Sequence, residues 1–64
     1  MATKAELIKQ LEHHRAVASM LLTVASAYKR AGNHQRHADK MFEYEREMRE
    51  VVKLQISLKK EGHK

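Results

Sequence analysis

The residues of this 64-residue chain that most readily do chemistry are its five histidines. His34 and His37 are three positions apart, on one face of a helix, and His13 and His14 are neighbours. Imidazole is the commonest side-chain ligand of metals. Metal sites in helical bundles, however, pair His with Glu on facing helices, and no Glu-x-x-His spacing recurs here. We therefore predict no metal and no cofactor. We interpret His14 as a residue at the edge of the core and the other histidines as solvated.

The residues of the common catalytic sites are missing from this sequence. It has no Cys, no Gly-rich phosphate loop, and no Ser in a sharp turn beside an Asp and a His. Acidic and basic residues alternate from Glu43 to Glu50, and the spacing of Glu45 and Arg49 is typical of an ion pair on a solvated helix face. The sequence therefore predicts a chain that is not an enzyme.

Basic residues give the chain a net charge of +5, and they concentrate in two regions. One region supplies candidate contacts for nucleic acid or another acidic partner: Lys29, Arg30, His34, Arg36, His37 and Lys40. Such cations attract phosphate backbones through counterion release. The chain has only three aromatic residues for stacking on bases and no helix-turn-helix or zinc-finger spacing. A modulator that binds RNA or DNA is therefore the alternative function and not the favoured one.

Two long helices are expected to position all of these residues. Pro is absent, Gly occurs twice, and most other residues are good helix formers. Thr3 and Glu6 have the spacing of a capping box at a helix start, and Gly32 and Asn33 can adopt the left-handed conformation that ends a helix. The prediction is a single domain of residues 1–64, with helix 1 at about 3–31, a turn at about 32–33 and helix 2 at about 34–60.

One segment of the second helix also carries the pattern of a strand. Apolar and polar residues alternate strictly from Val52 to Leu58. We favour a helix because a single strand has no partner in this chain and because no helix breaker separates the segment from the strongly helical residues Glu43 to Glu50.

A very short turn between two long helices makes them antiparallel, as a helical hairpin. With the turn near residues 32–33, apolar residues of the two helices face one another at alternating spacings of three and four. The predicted pairs are Leu7 and Leu58, Leu11 and Leu54, His14 and Val51, Val17 and Met48, Leu21 and Tyr44, and Val24 and Met41.

A second apolar face remains after this pairing, because eight of the ten residues from Ala16 to Ala25 are apolar. An isolated hairpin is expected to expose this face, so we predict an all-α homodimer in which two hairpins form a four-helix bundle. The predicted interface residues are Ile8, Arg15, Ala18, Leu22, Ala25, Phe42, Glu45, Arg49, Val52 and Ile56. One hypothesis pairs Arg15 of one chain with Glu45 of the other; the alternative is that these charges extend to solvent at the interface edge.

Two likenesses to known families follow from these features. A set of small and aromatic residues resembles the middle of a tetratricopeptide repeat, although Ala38 lies one position later than in that motif and only one repeat is present. The members of this set are Ala25, Tyr28, Gly32, Asn33, Ala38 and Phe42. The plan of two long helices, a tight turn and a dimer is similar to that of small plasmid-encoded regulators that bind paired RNA loops, without matching residues.

These features together favour a small regulator or adaptor that binds a host or cognate protein, of the kind that phages and plasmids encode as accessory proteins. No apolar run is long enough to span a membrane, and the start of the chain lacks a signal peptide, so we expect a soluble, cytoplasmic protein. The absence of Cys is consistent with a reducing compartment. A second alternative is an amphipathic protein that lies on a membrane surface.

Overall fold

The computed structural model describes residues 3–61, which form two α-helices. Helix α1 spans Lys4–Arg30 and helix α2 spans His34–Glu61. They pack against each other as a rod 49 Å long and 16 × 14 Å in cross-section. The described part of the chain contains no strand, and the alternating segment from Val52 to Leu58 is helical. The predicted all-α antiparallel hairpin is confirmed.

Helix α1 begins at a side-chain cap. Thr3 has extended backbone angles (φ −75°, ψ 163°), and its hydroxyl accepts a hydrogen bond from the Glu6 backbone N–H at 3.2 Å. A cap of this kind typically stabilises a helix by about 1 kcal/mol. The reciprocal bond of a capping box, from the Thr3 backbone N–H to the Glu6 carboxylate, is not among the hydrogen bonds of residues 3–61. The Thr3 half of the predicted box is confirmed.

The turn between the helices is a Schellman motif followed by a new cap. Gly32 adopts the left-handed conformation (φ +77°), and its N–H donates to the Lys29 carbonyl at 3.1 Å. The Asn33 N–H donates to the Tyr28 carbonyl at 2.9 Å. The Asn33 side-chain oxygen then accepts from the Arg36 N–H at 3.2 Å and begins α2. Among the described residues only Gly32 has a positive φ, so Asn33 serves as a cap and not as a left-handed residue.

The two helices meet most closely at small residues. Ala18, Ala25 and Val51 are 3%, 0% and 1% exposed, and they are the core of the described part. The prediction that a lone hairpin exposes Ala18 and Ala25 on the dimer face is therefore wrong. Helix α2 of the same chain already covers both side chains. The sequence pairing had assigned the facing positions to Val17 and Val24, each one residue earlier, whose side chains are only half-buried.

The seam between the helices alternates by three and four residues on both sides. Its half-buried and buried members are Leu7, Leu11, His14, Ala18, Leu21, Ala25 and Tyr28 on α1, and His37, Lys40, Tyr44, Glu47, Val51, Leu54 and Leu58 on α2. Val51 is the largest fully buried side chain of the described residues. The hairpin core is therefore small, even for a chain of this length.

Ala25→Leu tests this close approach. We expect the substitution to destabilise the fold by about 1–3 kcal/mol, because Ala25 is fully buried and a larger side chain must push the helices apart. Ala16→Leu is the matched control, since Ala16 lies on the same helix and is exposed. Leu and Ala have similar helix propensities, so propensity does not separate the two variants. Urea denaturation measures the difference, and equal free energies of unfolding would contradict the packing described here.

Candidate interaction surface

Six large apolar side chains are exposed on the described part of the hairpin, and one of them is Met20. The other five define what we call the apolar face: Ile8, Leu22, Phe42, Val52 and Ile56. All five belong to the dimer interface predicted from the sequence. The three predicted charged residues of that interface, Arg15, Glu45 and Arg49, are exposed as well. Exposed apolar area of this extent on a small domain is a recognised mark of an interaction site.

The apolar face and a charged face lie on opposite sides of the helix–helix seam. Successive residues of an α-helix are rotated by about 100°, so the neighbours of a buried residue project to opposite sides. Val51 is buried, with Glu50 before it and Val52 after it. Val17 of α1 lines the same groove as Glu50, so this groove marks one side of the hairpin. Val52 therefore projects to the other side, and Leu22, one turn beyond Ala18, does so from α1.

The apolar face has two apolar patches with charges between them. Ile8, Val52 and Ile56 lie towards the open end of the hairpin, where α1 begins and α2 ends. Leu22 and Phe42 lie towards the turn. Three charged residues lie between the two patches: Arg15, Glu45 and Arg49. We call them the charged band. The ion pair that the spacing of Glu45 and Arg49 predicts is not among those formed by residues 3–61, so the band has no partner within the described chain.

A shallow hollow lies on the α2 part of this surface. Its lining residues are Tyr44, Glu45, Met48, Arg49, Val52 and Lys53. Met48 and Val52 contribute apolar side chains to this lining, and Glu45 and Arg49 contribute charged ones. A hollow of this composition suits an apolar side chain of a partner, with an opposite charge placed beside it.

The opposite face carries a groove whose lining is mostly charged. Its lining residues are Val17, Leu21, Glu43, Arg46, Glu47, Arg49, Glu50 and Lys53. Arg49 and Lys53 also line the hollow on the apolar side, so they border both surfaces. Glu47 of this groove contacts α1: one of its carboxylate oxygens lies 2.5 Å from the Nδ1 atom of His14, and both side chains are half-buried. The sequence analysis paired His14 with Val51. The structure pairs it with Glu47, which lies one helical turn before Val51. Lys53 and Glu50 also form an ion pair at 3.4 Å.

Two of the six basic residues predicted as partner contacts near the turn form contacts within the hairpin. The Nδ1–H of His37 donates to the Ala25 carbonyl at 2.9 Å, so this ring is half-buried in the seam and the interpretation of His37 as solvated is wrong. Lys40 forms an ion pair with Glu43 at 3.0 Å. The exposed remainder of the predicted contact group is Lys29, Arg30, His34 and Arg36.

Two further properties of the described chain bear on function. Residues 3–61 contain no group of three or more His, Asp or Glu side chains close enough to hold a metal ion. Neither helix, over the part that the structure describes, has an apolar stretch that could cross a lipid bilayer. Comparison of the chain with protein families, with curated proteins and with solved structures finds no match.

Proposed function

We propose that this chain is a small regulator or adaptor, which forms a homodimeric four-helix bundle and binds another protein. The observation that carries the proposal is the apolar face, with five exposed large apolar side chains on a hairpin that fully buries only three residues of its described part. Burying a large apolar side chain contributes about 1.5–3 kcal/mol. A second copy presents the same surface, and twofold-symmetric packing of the two copies buries both apolar faces.

The size of the chain supports the same proposal. Domains of this length rarely obtain enough stability from one core and commonly add disulfides, a metal or a partner subunit. This chain has no Cys. Dimerisation supplies the missing burial and makes folding depend on protein concentration.

Dimerisation through the apolar face leaves the groove on the opposite side open. Val17 and Leu21 give that groove an apolar floor, and Glu43, Arg46 and Glu50 give it charges of both signs. We assign the partner-binding role to this groove, because it combines apolar and charged contacts at a surface that the second copy does not cover. A protein helix with alternating charges has the matching chemistry.

The dimer is tested by sedimentation equilibrium over a hundredfold range of concentration, with circular dichroism on the same samples. We expect a mass of about 15 kDa, twice the 7.5 kDa of the chain, and a melting temperature that rises with concentration. A well-folded monomer of 7.5 kDa at all concentrations would overturn the proposal. Affinity capture then tests the adaptor role: we expect one stoichiometric protein, lost from a Glu43→Lys, Glu50→Lys variant, and equal capture by that variant would remove the groove as the site.

A second candidate function is binding of RNA or DNA at the turn. The observation in its favour is that Lys29, Arg30 and Arg36 are exposed and take part in none of the ion pairs among residues 3–61. Three uncompensated cations at one end of a rod form a local positive potential that attracts phosphate.

Electrophoretic mobility shifts at low salt test this candidate. We expect retention that weakens steeply with added salt, and its loss when Lys29, Arg30 and Arg36 are all replaced by Glu. The matched control reverses three cations towards the open end, Lys4, Lys9 and Lys59, and should retain most of the binding. Absence of retention at low salt, or equal loss in both variants, would exclude a nucleic-acid site at the turn.

A further inference from the structure

We infer that the turn end of the hairpin binds the phosphate backbone of a nucleic-acid duplex, lying across a groove without contact to the bases. This inference rests on the second candidate function proposed above and specifies the form of nucleic acid that the site takes. The residues that carry it are Lys29 and Arg30, in the last turn of α1, and Arg36, in the first turn of α2. We call these three residues the turn patch.

The part of the chain that builds the turn end has no negative side chain. Residues 13–38 contain no Asp and no Glu. The carboxylates of α2 begin at Asp39, and the ion pairs formed by described residues all lie further towards the open end, where α1 begins and α2 ends. Cations in the first part of α1 are interspersed with Glu6 and Glu12. The turn patch therefore keeps its full positive charge and attracts a polyanion to this end of the rod.

The turn patch occupies both helices. All three side chains are exposed, and none takes part in the ion pairs among residues 3–61. Packed helices have axes about 8–10 Å apart, so the cations of α1 and the cation of α2 can contact phosphates on different strands. A duplex presents two lines of phosphates with a groove between them, whereas a single strand presents one line. Cations on two helices therefore fit a duplex better.

The width of the rod keeps its end out of the grooves of a duplex. The hairpin is 16 × 14 Å in cross-section. The grooves of B-form DNA are about 12 Å and about 6 Å wide, and the wider one admits a single α-helix. Two helices side by side therefore stay at the rims, where the phosphates lie. Contacts to phosphates fix the position of a protein and carry no sequence information.

The aromatic residues offer little stacking surface to single-stranded bases at the turn. Proteins that bind single strands combine cations with exposed aromatic rings. Tyr28 and Tyr44 are half-buried in the seam between the helices. Phe42 is exposed, but the hollow that it lines also contains the carboxylates of Asp39 and Glu43, which repel a phosphate. The site is therefore better suited to a duplex than to a single strand.

Fluorescence anisotropy with labelled oligonucleotides tests the inference. The probes are a short DNA duplex, one of its strands alone, an RNA duplex of the same sequence, and a DNA duplex of unrelated sequence. Counterion release contributes a salt slope of about 0.9 per phosphate contact for a duplex and about 0.7 for a single strand. For the three contacts of the turn patch, we expect the duplex to bind about tenfold more tightly at about 20 mM salt, and about fourfold more tightly at about 100 mM. The two DNA duplexes should bind alike.

Neutral substitutions on either side of the turn test whether both helices take part. Loss of one phosphate contact should weaken duplex binding by about thirtyfold at about 20 mM salt, for Arg30→Gln and for Arg36→Gln alike. Lys59→Gln is the matched control, because Lys59 is exposed towards the open end, and it should bind as the unchanged chain does. Circular dichroism checks that all three variants keep their helices.

Tighter duplex binding that falls by a similar factor in both arginine variants would support the inference, and the tighter of the DNA and RNA duplexes would identify the source of the phosphates. A single strand that binds as tightly as its duplex would overturn the inference and leave the second candidate function standing. A clear preference for one DNA sequence, or a loss confined to one arginine variant, would overturn it in the same way. Absence of binding to every probe at low salt would instead remove the candidate function itself.

Discussion

Phe42→Lys is expected to dissociate the dimer, whereas Met20→Lys leaves it intact. The two side chains are similarly exposed on the hairpin, at 63% and 60%, so a single hairpin should tolerate both changes almost equally, within about 0.5 kcal/mol. Phe42 belongs to the apolar face and Met20 does not. A large aromatic side chain at an interface typically contributes about 2 kcal/mol or more, and the lysine adds a charge that the second copy must desolvate.

Local charge does not explain the expected difference between these variants. Asp39 and Glu45 lie three residues before and after Phe42, so a lysine there gains favourable neighbours on its own helix. Both variants raise the net charge by one unit. Sedimentation equilibrium at matched concentrations measures the outcome, and two variants that stay equally dimeric would show that Phe42 lies outside the interface.

The hairpin could be predicted because its ends are set by local chemistry. The Thr3 hydroxyl caps α1, and Gly32, which has no Cβ, adopts the left-handed conformation that the turn requires. Both act through backbone hydrogen bonds within a few residues, so the amino-acid types are sufficient to locate them. The alternating segment after Val51 is helical because nothing in the described chain pairs with it as a strand.

The position of the seam was harder to predict, because hydrophobicity alone does not reveal a small core residue. The valines at positions 17 and 24 are more hydrophobic than the alanines that follow them, yet it is Ala18 and Ala25 that the partner helix covers. A short side chain allows the backbones to approach closely, and that advantage depends on the other helix. Alanines repeating every seven residues within an apolar run were the available signal.

The sequence pattern placed His14 at the edge of the core, as observed, but it predicted neither the burial of His37 nor the partner of either ring. His37 reaches the Ala25 carbonyl and His14 reaches Glu47, contacts between residues far apart in the chain. A polar residue in the seam is stable only when the opposite helix supplies its partner, so its burial is decided by the register and not by residue type. The homodimer and the binding of another protein stay predictions, because both concern exposed surfaces of the hairpin.

Val51→Asp is expected to prevent folding, whereas Val52→Asp leaves a helical hairpin that associates weakly. These neighbours are 1% and 49% exposed. An unpaired carboxylate at Val51 costs several kcal/mol, and Glu47 one turn earlier adds a like charge. That cost is comparable with the roughly 3–5 kcal/mol that a single core of this size supplies.

The same substitution at both positions cancels the effect of helix propensity, so the contrast reports burial together with the like charge of Glu47 near position 51. Far-UV circular dichroism over a range of concentrations measures it. We expect Val51→Asp to show little helix at any concentration. We expect Val52→Asp to regain helix as concentration rises, because its aspartate lies on the apolar face and weakens association between copies instead of packing within one. Equal helix loss in both variants, independent of concentration, would mean that Val51 and Val52 share one environment, contrary to the fold described here.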